Sequence, residues 1–511
     1  PPPPLFFSHP HPPNPDPLWS RGLGDVYKRQ IMENILNYIN GEFVEPLSKE
    51  YIDVIEPAIG KKYTKVANSE RADIDKAVYA SLQSFPDWSS LSVDIRSSYL
   101  IKIAEQIEEN LEEFAYFETR DTGKPISLSK KMDIPRAISN FRFFADHAKS
   151  FQFKSNIDGE NASNLIARYP LGVVGCISPW NLPLYLFTWK IAPALVAGNT
   201  VIAKPSEISP LTAYKLAKIL EKINFPKGVI NIVHGEGNRV GSEIVRHPKI
   251  KAISFTGGTK TGEKIAKESS SSFKKISLEM GGKNPAIIFD DCDYSNMIET
   301  IINSSFSNQG QICLCSSRLL IQSTIYDKFK SDLVERVSKL IIGDPDNTNT
   351  EFGSISSKEH FDKIMDYIKL AKKEGGNILL GGNALSLDGR CSSGYFISPT
   401  IIDSLDNSSI INQDEIFGPV VTLQSFNTED EAINLANDTK YGLSATIWTN
   451  DQKKGDRVAL GVDAGVIWIN CWLVRDLRTP FGGMKQSGLG REGGDYAIEF
   501  FTEPKNICRR V

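Results

Sequence analysis

The sequence has no uninterrupted apolar run near the roughly 18 residues that a membrane-spanning helix requires, which excludes an integral membrane protein. An excess of one charge sign is also absent, because 58 lysines and arginines face 62 aspartates and glutamates in 511 residues. The net charge of −4 therefore provides no global electrostatic reason to bind nucleic acid or a membrane surface.

Cysteine and histidine are scarce, with seven and six residues. The seven cysteines are an odd number and their spacing indicates no disulfide framework, so we expect a reducing, cytoplasmic setting. Cysteines and histidines do not cluster at metal-ligand spacing, so we expect no metal site.

Proline is unevenly distributed, with nine of its 28 residues in positions 1–30. The apolar run at residues 5–7 is shorter than the 7–15 or so residues of a secretory h-region, and the basic residues follow it. We therefore expect residues 1–31 to be a disordered or non-native extension and Met32 to be the natural start. The following residues 38–44, with Asn-Gly near their centre, predict a hairpin.

Beyond residue 31, short apolar strands alternate with helices of about ten residues, a pattern typical of βαβ units on a parallel sheet. We interpret two series of such units as two α/β domains without an internal repeat. Strands are predicted at 172–177, 200–203, 229–233, 252–255, 286–289, 420–426 and 466–469. Helical spacing of apolar residues predicts helices at 73–83, 92–118, 186–197, 211–223, 239–246, 260–267, 296–305, 326–340 and 358–373.

Two glycine-rich segments lie between a predicted strand and a predicted helix. Residues 235–241 have the spacing G-x-G-x-x-x-G rather than the dinucleotide fingerprint, and a plain turn explains them about as well. Residues 255–262 are the stronger phosphate-binding candidate, because their glycines let a pyrophosphate approach backbone N–H groups at a positive helix end.

Lys204 and Glu207 follow another predicted strand, and nucleotides bind at the strand ends of open parallel sheets. A lysine can reach a phosphate or a ribose, and a carboxylate can accept hydrogen bonds from ribose hydroxyl groups. The same carboxylate would repel a 2′-phosphate, so the pattern favours NAD over NADP.

The candidate nucleophile is Cys313, which precedes Cys315 by two residues, so that both thiols lie on one side if the backbone is extended. A metal site is not indicated, since the nearest other cysteine is Cys292. An isolated cysteine is usually a buried inert residue. Glycine and polar residues just before Cys313 favour a thiol beside an open cavity instead.

Two more segments supply complementary groups. Glu279 ends an apolar strand and precedes glycines that leave its carboxylate room to move, and Asn181 is held between two prolines. A thiol, a carboxylate and a fixed amide N–H are the groups that thioester chemistry requires. The scattered histidines are interpreted as structural or surface residues; they include His147, His234, His247 and His360.

These residues occur in the order of the aldehyde dehydrogenase superfamily, which the chain resembles over residues 33–511. Within it, the chain looks most like 2-aminomuconate and 2-hydroxymuconate semialdehyde dehydrogenases, through residues 132–136, 140–145, 180–193, 312–315 and 470–478. Departures are small and remove no group that the mechanism uses; they are Met280, Gly258 and Asp414. The superfamily segments are 179–181, 204–207, 255–257, 278–283, 310–313 and 415–419.

The resemblance implies an α/β fold with two parallel-sheet domains and a small β oligomerisation arm. The expected NAD-binding domain covers residues 32–153 and 171–281, and the expected catalytic domain covers 282–484. The arm is expected at residues 154–170 and 485–511, and it implies a homodimer or a homotetramer.

The resemblance also implies roles for individual residues. Cys313 would attack an aldehyde, Asn181 would hold the oxyanion, and Glu279 would activate the water that hydrolyses the thioester. NAD would be the cofactor, held by residues that include Trp180, Lys204, Glu207, Gly237, Gly257, Gly258, Glu415 and Phe417.

The closer likeness implies a carboxylated semialdehyde substrate, either 2-aminomuconate or 2-hydroxymuconate 6-semialdehyde. Its carboxylates call for guanidinium groups, and we assign Arg136 and Arg475 to them. These arginines could instead be solvated or structural, and Arg142 and Arg478 are close rivals.

Other functions carry less support. A dehydrogenase of broader specificity, for betaine-type or retinal-type aldehydes, is the main alternative. A CoA-acylating enzyme would have to protect its thioester from water, which Glu279 argues against. A silent NAD-binding paralogue would be expected to lack Cys313, Asn181 or Glu279.

Overall fold

The computed structural model describes residues 34–511 of the chain. The extension predicted for residues 1–31 and the start predicted at Met32 lie outside this range. Within it, strands and helices alternate along most of the chain, as the hydrophobic pattern predicts. No helix among the residues described is long and apolar enough to cross a membrane.

Eight strands form the first sheet, and the five at its centre run parallel. An antiparallel hairpin closes one edge and turns at Asn40 and Gly41, whose φ angles are 55° and 78°. Positive φ favours these two residue types, so the predicted Asn-Gly hairpin is confirmed. In spatial order the strands are Glu42–Val44, Asn37–Ile39, Ile230–Ile232, Thr200–Lys204, Val173–Ile177, Ile250–Thr256, Lys275–Glu279 and Gly488–Leu489.

The first sheet reverses its chain order at one point. Val173–Ile177 is the earliest of the parallel strands in the chain, yet it lies between Thr200–Lys204 and Ile250–Thr256. Such a reversal opens a crevice beyond the carboxyl ends of the strands, where open α/β sheets bind ligands. The crevice here lies between the residues that follow Ile177 and those that follow Thr256.

Seven strands form the second sheet, and six of them run parallel. The antiparallel strand Asn377–Leu380 closes one edge. In spatial order the strands are Asn377–Leu380, Thr400–Asp403, Val420–Phe426, Ser316–Gln322, Asn284–Ile288, Ser444–Trp448 and Val466–Ile469.

A third, antiparallel sheet has Ala162–Pro170 at its centre, with Lys154–Asp158 on one side and Thr502–Arg510 on the other. The segments predicted as an oligomerisation arm contain these strands, but Gly488–Leu489 pairs with the edge of the first sheet instead. The predicted domain limits stay a prediction. Three further two-stranded sheets pair Tyr51–Glu56 with Lys61–Ala67, Ala384–Leu385 with Phe396–Ile397, and Tyr441–Gly442 with Met484–Lys485.

Apolar side chains are buried on both faces of the first sheet. Val174 belongs to the apolar cluster that includes the helix Pro183–Val196, whereas its neighbour Val173 belongs to the cluster on the opposite side, with Arg71–Ser90. The second sheet is likewise covered on two faces by separate apolar clusters. The expected fold class, two α/β units with largely parallel sheets plus a small β element, is confirmed.

The helices follow the predicted pattern with a few exceptions. Two π-helical turns, Ser129–Asp133 and Gly237–Gly241, lie directly before α-helices, and the second replaces the start of the helix predicted at 239–246. The α-helices are Arg71–Ser90, Val93–Glu109, Leu111–Thr122, Ile126–Leu128, Ile134–Ser150, Pro183–Val196, Leu211–Lys222, Ser242–Arg246, Thr259–Ser270, Tyr294–Phe306, Tyr326–Val337, Lys358–Lys373, Ile410–Gln413, Glu429–Asn437, Gln452–Gly461 and Gly494–Phe500.

The single helix predicted at 92–118 is wrong, because the chain breaks it at Asn110. The backbone of Asn110 leaves helical geometry, and its side-chain amide donates to the carbonyl of Gln106 at 2.7 Å. Asparagine side chains compete with backbone hydrogen bonds in this way. Apolar residues continue at helical spacing across the break, so periodicity alone does not reveal it.

Arg318 connects the second sheet to a helix that covers it. Its buried guanidinium donates to the backbone carbonyls of Lys283 at 3.0 Å, Leu435 at 2.7 Å and Ala436 at 2.7 Å. Leu435 and Ala436 lie in the last turn of Glu429–Asn437, where the carbonyls carry partial negative charge. Burial lowers the pKa of Arg318 to about 10, so the arginine stays charged at neutral pH.

We expect Arg318→Met to lower the free energy of unfolding by about 3 kcal/mol or more, because three backbone carbonyls, in two buried hydrogen bonds and one part-buried one, lose their donor. Arg318→Lys should recover only part of this loss, since one ammonium cannot reproduce the planar fork. Thermal unfolding midpoints measure both effects. Arg478, exposed and paired with Asp476, provides the control, and an equal loss in Arg478→Met would contradict the expectation.

Candidate active site

The three predicted catalytic residues meet where the carboxyl ends of the first sheet approach the second sheet. Glu279 ends a strand of the first sheet, Asn181 follows another, and Cys313 precedes a strand of the second sheet. Cys313 lines one cavity together with Glu279 and an adjoining one together with Asn181. The structure therefore brings together all three groups.

The nucleophile loop, residues 307–315, has unusual backbone geometry. Asn308, Gln309 and Gly310 have successive positive φ angles of 50°, 56° and 69°. Cys313 then lies in a turn closed by a hydrogen bond from the N–H of Cys315 to the carbonyl of Ile312, at 2.9 Å. The extended backbone that would place both thiols on one side is therefore absent. Cys313 remains partly exposed in its cavities, whereas Cys315 is buried.

Asn181 is buried and held at both its backbone and its side chain. Its Nδ2 donates to the carbonyl of Gln311 at 2.9 Å, which uses one of the two amide hydrogens. Its own backbone carbonyl accepts from Lys124 Nζ at 2.9 Å and from Asn308 Nδ2 at 3.1 Å. The remaining amide hydrogen is available to a ligand atom beside Cys313.

Glu279 is 4% exposed, and neither of its carboxylate oxygens has a hydrogen-bond partner among the described residues. Burial, followed by the nearby carboxylate of Glu492, raises its pKa well above the ordinary value. Glu492 itself pairs with Lys190 at 2.8 Å and accepts from Ser254 at 3.2 Å. Glu279 thus has free lone pairs, and its raised pKa makes it a stronger base than an ordinary carboxylate when it is ionised.

The thiol of Cys313 is protonated in this environment. Burial raises its pKa above the ordinary value, and the carboxylates of Glu415 and Glu279 raise it further, against a smaller opposite effect of Arg475. The thiolate is the reactive form, so activation requires a base or a positive charge nearby.

A cleft of about 480 Å³ lies over the carboxyl ends of the first sheet, and its wall includes Trp180, Lys204, Glu207 and Gly237. Lys204 Nζ lies 2.9 Å from one oxygen of Glu207, and the N–H of Gly237 donates to the other at 3.2 Å. Burial would raise the pKa of Glu207, but Lys204 and these hydrogen bonds lower it overall. The carboxylate is therefore charged at neutral pH.

The same cleft offers an anion-binding helix end. Gly258 precedes the helix Thr259–Ser270 without a side-chain cap, and a Cβ added at Gly258 would meet nothing within 4 Å. Unpaired N–H groups at an open helix N-terminus, with Gly257 beside them, suit a pyrophosphate.

A second pocket of about 220 Å³ connects this cleft to Cys313, and both Glu415 and Phe417 line it. A Glu415 oxygen accepts from the N–H of Gly282 at 3.0 Å, and a Cβ at Gly281 would lie only 1.9 Å from that carboxylate. Phe417, with φ 61°, packs edge-on against Trp180 at 5.4 Å. All eight predicted cofactor residues thus line one continuous groove, and its donors and open backbones fit a dinucleotide.

His360 also lines this second pocket, although sequence reasoning treated it as structural or surface. Its Nε2 lies 2.6 Å from the carbonyl of Phe417, and its ring contacts Trp180. Burial lowers its pKa to about 4, so the ring is neutral and supports the wall rather than exchanging protons.

The other cavity beside Cys313 has a volume of about 30 Å³ and contains both predicted substrate arginines. Arg475 Nη1 donates to the hydroxyl of Tyr185, and the guanidinium carbons of Arg136 and Arg475 lie 5.6 Å and 5.7 Å from the Tyr185 ring centre. Arg475 Nη2 is buried without a partner among the described residues.

The rival arginines lie elsewhere. Arg142 pairs with Glu108 on the surface, and Arg478 pairs with Asp476 with 74% of its side chain exposed. Neither lines a cavity that contains Cys313. Two guanidinium groups in one apolar cavity provide a site for an anionic group near the thiol.

Sequence reasoning missed three residues of this region: Tyr185, Lys190 and Glu492. Lys190 had a visible signal, since it is a lone charge within the wholly buried helix Pro183–Val196. Tyr185 and Glu492 had none, because only the folded chain places them beside Arg475 and Glu279. In the range 34–511, no group of three metal-ligating side chains could hold an ion.

Comparison with known proteins agrees with this geometry. Human 2-aminomuconic semialdehyde dehydrogenase is 47% identical over 92% of this chain and 97% of its own, and 2-hydroxymuconic semialdehyde dehydrogenase of Pseudomonas sp. (strain CF600) is 42% identical over 94% and 100%. The crystal structure of betaine aldehyde dehydrogenase from Staphylococcus aureus in complex with NAD+ has a TM-score of 0.91 at 38% identity, covering 95% of each chain.

The resemblance inferred from the sequence motifs is therefore confirmed. Residues 43–507 match the aldehyde dehydrogenase family. A match over most of the chain, together with relatives above 40% identity, identifies the family without ambiguity. The protein belongs to the aldehyde dehydrogenase family.

Proposed function

We propose that the protein oxidises a carboxylated semialdehyde, of the 2-aminomuconate or 2-hydroxymuconate type, to the acid with NAD. The observation that carries this proposal is the pair Arg136 and Arg475, which contact one tyrosine in the cavity of Cys313. Relatives named as muconate semialdehyde dehydrogenases, at 42–48% identity, support the same substrate class. The main alternative, a dehydrogenase of betaine-type aldehydes, does not explain two cationic groups in the cavity.

The reaction begins at Cys313, whose sulfur attacks the aldehyde carbon while the thiol proton passes to a base. Glu279 is a suitable acceptor, because its raised pKa and free oxygens favour protonation. The C–S bond forms as the carbonyl π electrons move to oxygen, which produces a thiohemiacetal anion. The residues of the nucleotide groove would hold NAD, which would supply a hydride acceptor, so that loss of hydride from carbon would leave a thioester on Cys313.

Asn181 and the backbone N–H of Cys313 would stabilise the oxyanion in both halves of the reaction. The Asn181 amide is fixed by its bond to Gln311, so little reorganisation is needed as charge develops. Once the thiol proton has passed from Glu279 to solvent, the ionised carboxylate would remove a proton from water as the water oxygen attacks the thioester carbon. The C–S bond breaks, the acid leaves, and Cys313 is restored.

The substrate carboxylate would occupy the space between Arg136 and Arg475. Arg475 keeps one buried nitrogen without a partner, and an unsatisfied charged donor costs free energy until a ligand binds it. The aromatic rings of Trp189 and Phe481 lie 4.3 Å from its guanidinium and limit its movement. A fixed guanidinium discriminates an anionic aldehyde from a neutral one.

NAD is the expected cofactor rather than NADP. The negative charge of Glu207 lies at the ribose end of the cleft, and Glu236 adds a second carboxylate to the same wall. Both would repel a 2′-phosphate, whereas Glu207 can accept from ribose hydroxyl groups.

We further propose that residues 32–153 and 171–281, which contain all but one strand of the first sheet, are the NAD-binding domain and that residues 282–484 are the catalytic domain. The third sheet would pair subunits in a homodimer or homotetramer, since Ile157 and Tyr169 expose 59% and 44% of their surface on its strands. All seven cysteines are free, in keeping with a reducing, cytoplasmic compartment.

Asn181→Ala is expected to lower kcat by about 10²–10³, the usual cost of one oxyanion donor. The KM for NAD should change little, because Asn181 does not line the ribose end of the cleft. Steady-state NADH formation measures both constants. An unchanged kcat would remove Asn181 from the oxyanion site.

Arg475→Met is expected to lower kcat/KM for either muconate semialdehyde by roughly ten- to a hundredfold, because a charge-assisted hydrogen bond contributes about 1.5–3 kcal/mol. A plain straight-chain aldehyde should lose much less. Arg478→Met, which alters a surface pair, is the matched control. Equal losses for the two kinds of aldehyde would refute the substrate assignment.

Glu207→Gln is expected to raise the ratio of kcat/KM for NADP to that for NAD by about fivefold, since a charge repulsion near the surface amounts to about 1 kcal/mol. Glu263→Gln is the control, because Glu263 lies on the nearby helix but pairs with Lys267. If the cofactor ratio stays constant in Glu207→Gln, Glu207 does not select NAD.

A further inference from the structure

A fully buried ionic cluster lies behind the candidate oxyanion site. Lys124, Glu118 and Asp133 expose none of their side chains. Lys124 Nζ lies 2.5 Å from Asp133 Oδ2 and 3.5 Å from Glu118 Oε1, and it donates to the backbone carbonyl of Asn181 at 2.9 Å. One lysine thus connects the helix Leu111–Thr122, the π-helical turn Ser129–Asp133 and the loop of Asn181.

Stability alone does not explain this cluster. A buried ion pair seldom stabilises a fold more than apolar residues of the same volume would. The cluster also holds two carboxyl groups for one cation, and Asp133 Oδ1 has no partner among the described residues. Burial, with the nearby charge of Asp133, raises the pKa of Glu118 to about 7 against the opposing effect of Lys124. Because burying these charges costs free energy, we expect the cluster to have a role in positioning neighbouring groups.

The cluster fixes the Asn181 segment from behind. Lys124 holds the carbonyl of Asn181, and Glu118 Oε2 accepts from the N–H of Leu184 at 3.4 Å. The nucleophile loop holds the same segment from the front, through Asn308 Nδ2 and the carbonyl of Gln311. The position of the Asn181 amide relative to Cys313 therefore depends on both sides.

We propose that Lys124 is a positioning residue for the oxidation of the aldehyde, which sets the location of the Asn181 amide through its backbone carbonyl. The inference rests on the proposed oxyanion role of Asn181 and extends it to a buried group that touches no reacting atom. Without Lys124, the carbonyl keeps only Asn308 as a donor, and residues 181–184 lose their ammonium anchor. Small displacements of catalytic groups lower rates strongly.

Lys124→Met keeps the length of the side chain and removes its charge and its donors. We expect kcat to fall by roughly 10- to 100-fold, with the KM for NAD unchanged, because the nucleotide cleft does not include this cluster. Stopped-flow measurement of the first turnover should show slower NADH formation, since the oxyanion forms before hydride leaves.

The deciding measurement is a double-mutant cycle with Asn181→Ala. If Lys124 acts through the Asn181 amide, Lys124→Met should lower kcat by less than about threefold when Asn181→Ala is already present. A purely structural role would multiply the two losses instead. Multiplied losses would overturn the proposal.

Two further variants separate positioning from the effect of an unpaired buried carboxylate. Lys124→Met/Asp133→Asn removes the excess negative charge, so its thermal midpoint should recover while its kcat stays low. Recovery of kcat in this variant would overturn the proposal. If Lys124→Met alone does not fold, the paired variant replaces it in the cycle.

Asp133→Asn alone leaves the lysine donor in place and should keep kcat within about threefold. Lys215→Met is the matched control, because Lys215 pairs with Glu113 at 2.5 Å away from the cavities that contain Cys313, and it should leave kcat unchanged. A normal kcat in Asn181→Ala would refute the proposed oxyanion role itself. A loss in Asn181→Ala with normal kcat in Lys124→Met would refute only the role of Lys124.

Discussion

The hydrogen bond from Asn181 Nδ2 to the backbone carbonyl of Gln311 joins the two halves of the active site. Asn181 belongs to the loop after the central strand of the first sheet, and Gln311 lies two residues before Cys313 in the second. The nucleotide groove and the arginine cavity both open at this junction. Their usefulness therefore depends on the two sheets keeping a fixed relative position, which this bond and the contacts around it provide.

Exclusion of water governs the chemistry at that junction. Burial is the largest influence on the pKa of Glu279, of Cys313 and of Glu415, and it raises all three. A dry site disfavours charge on the thiol and on the nearby carboxyl groups until a ligand contributes charge or hydrogen bonds. Without water, a buried polar atom that lacks a partner, such as Arg475 Nη2, costs more free energy until a ligand forms a hydrogen bond with it.

Much of this site could be predicted from the sequence because its residues lie at the ends of strands. The apolar pattern predicts the strands, and the rules for parallel sheets predict that ligands bind at their carboxyl ends. Glu279 and Lys204 were placed by the strands they end, and the groove followed from the parallel sheet. Residues that come together only through tertiary contacts could not be predicted from the sequence. Glu492 and Tyr185 have no local signature, and the break at Asn110 leaves the apolar period intact. The turn at Cys313 depends on left-handed residues before it, which composition does not reveal.

Gly488–Leu489 and Lys275–Glu279 pair in the first sheet but are synthesised at different times on the ribosome. The strand that carries Glu279 is made more than 200 residues before its antiparallel partner. Until the last segment emerges, that edge of the first sheet stays unpaired, a state prone to association with other strands. Glu492 and the strand Thr502–Arg510 arrive in the same final stretch. A chain without this stretch therefore carries the thiol but lacks the carboxylate of Glu492 beside Glu279.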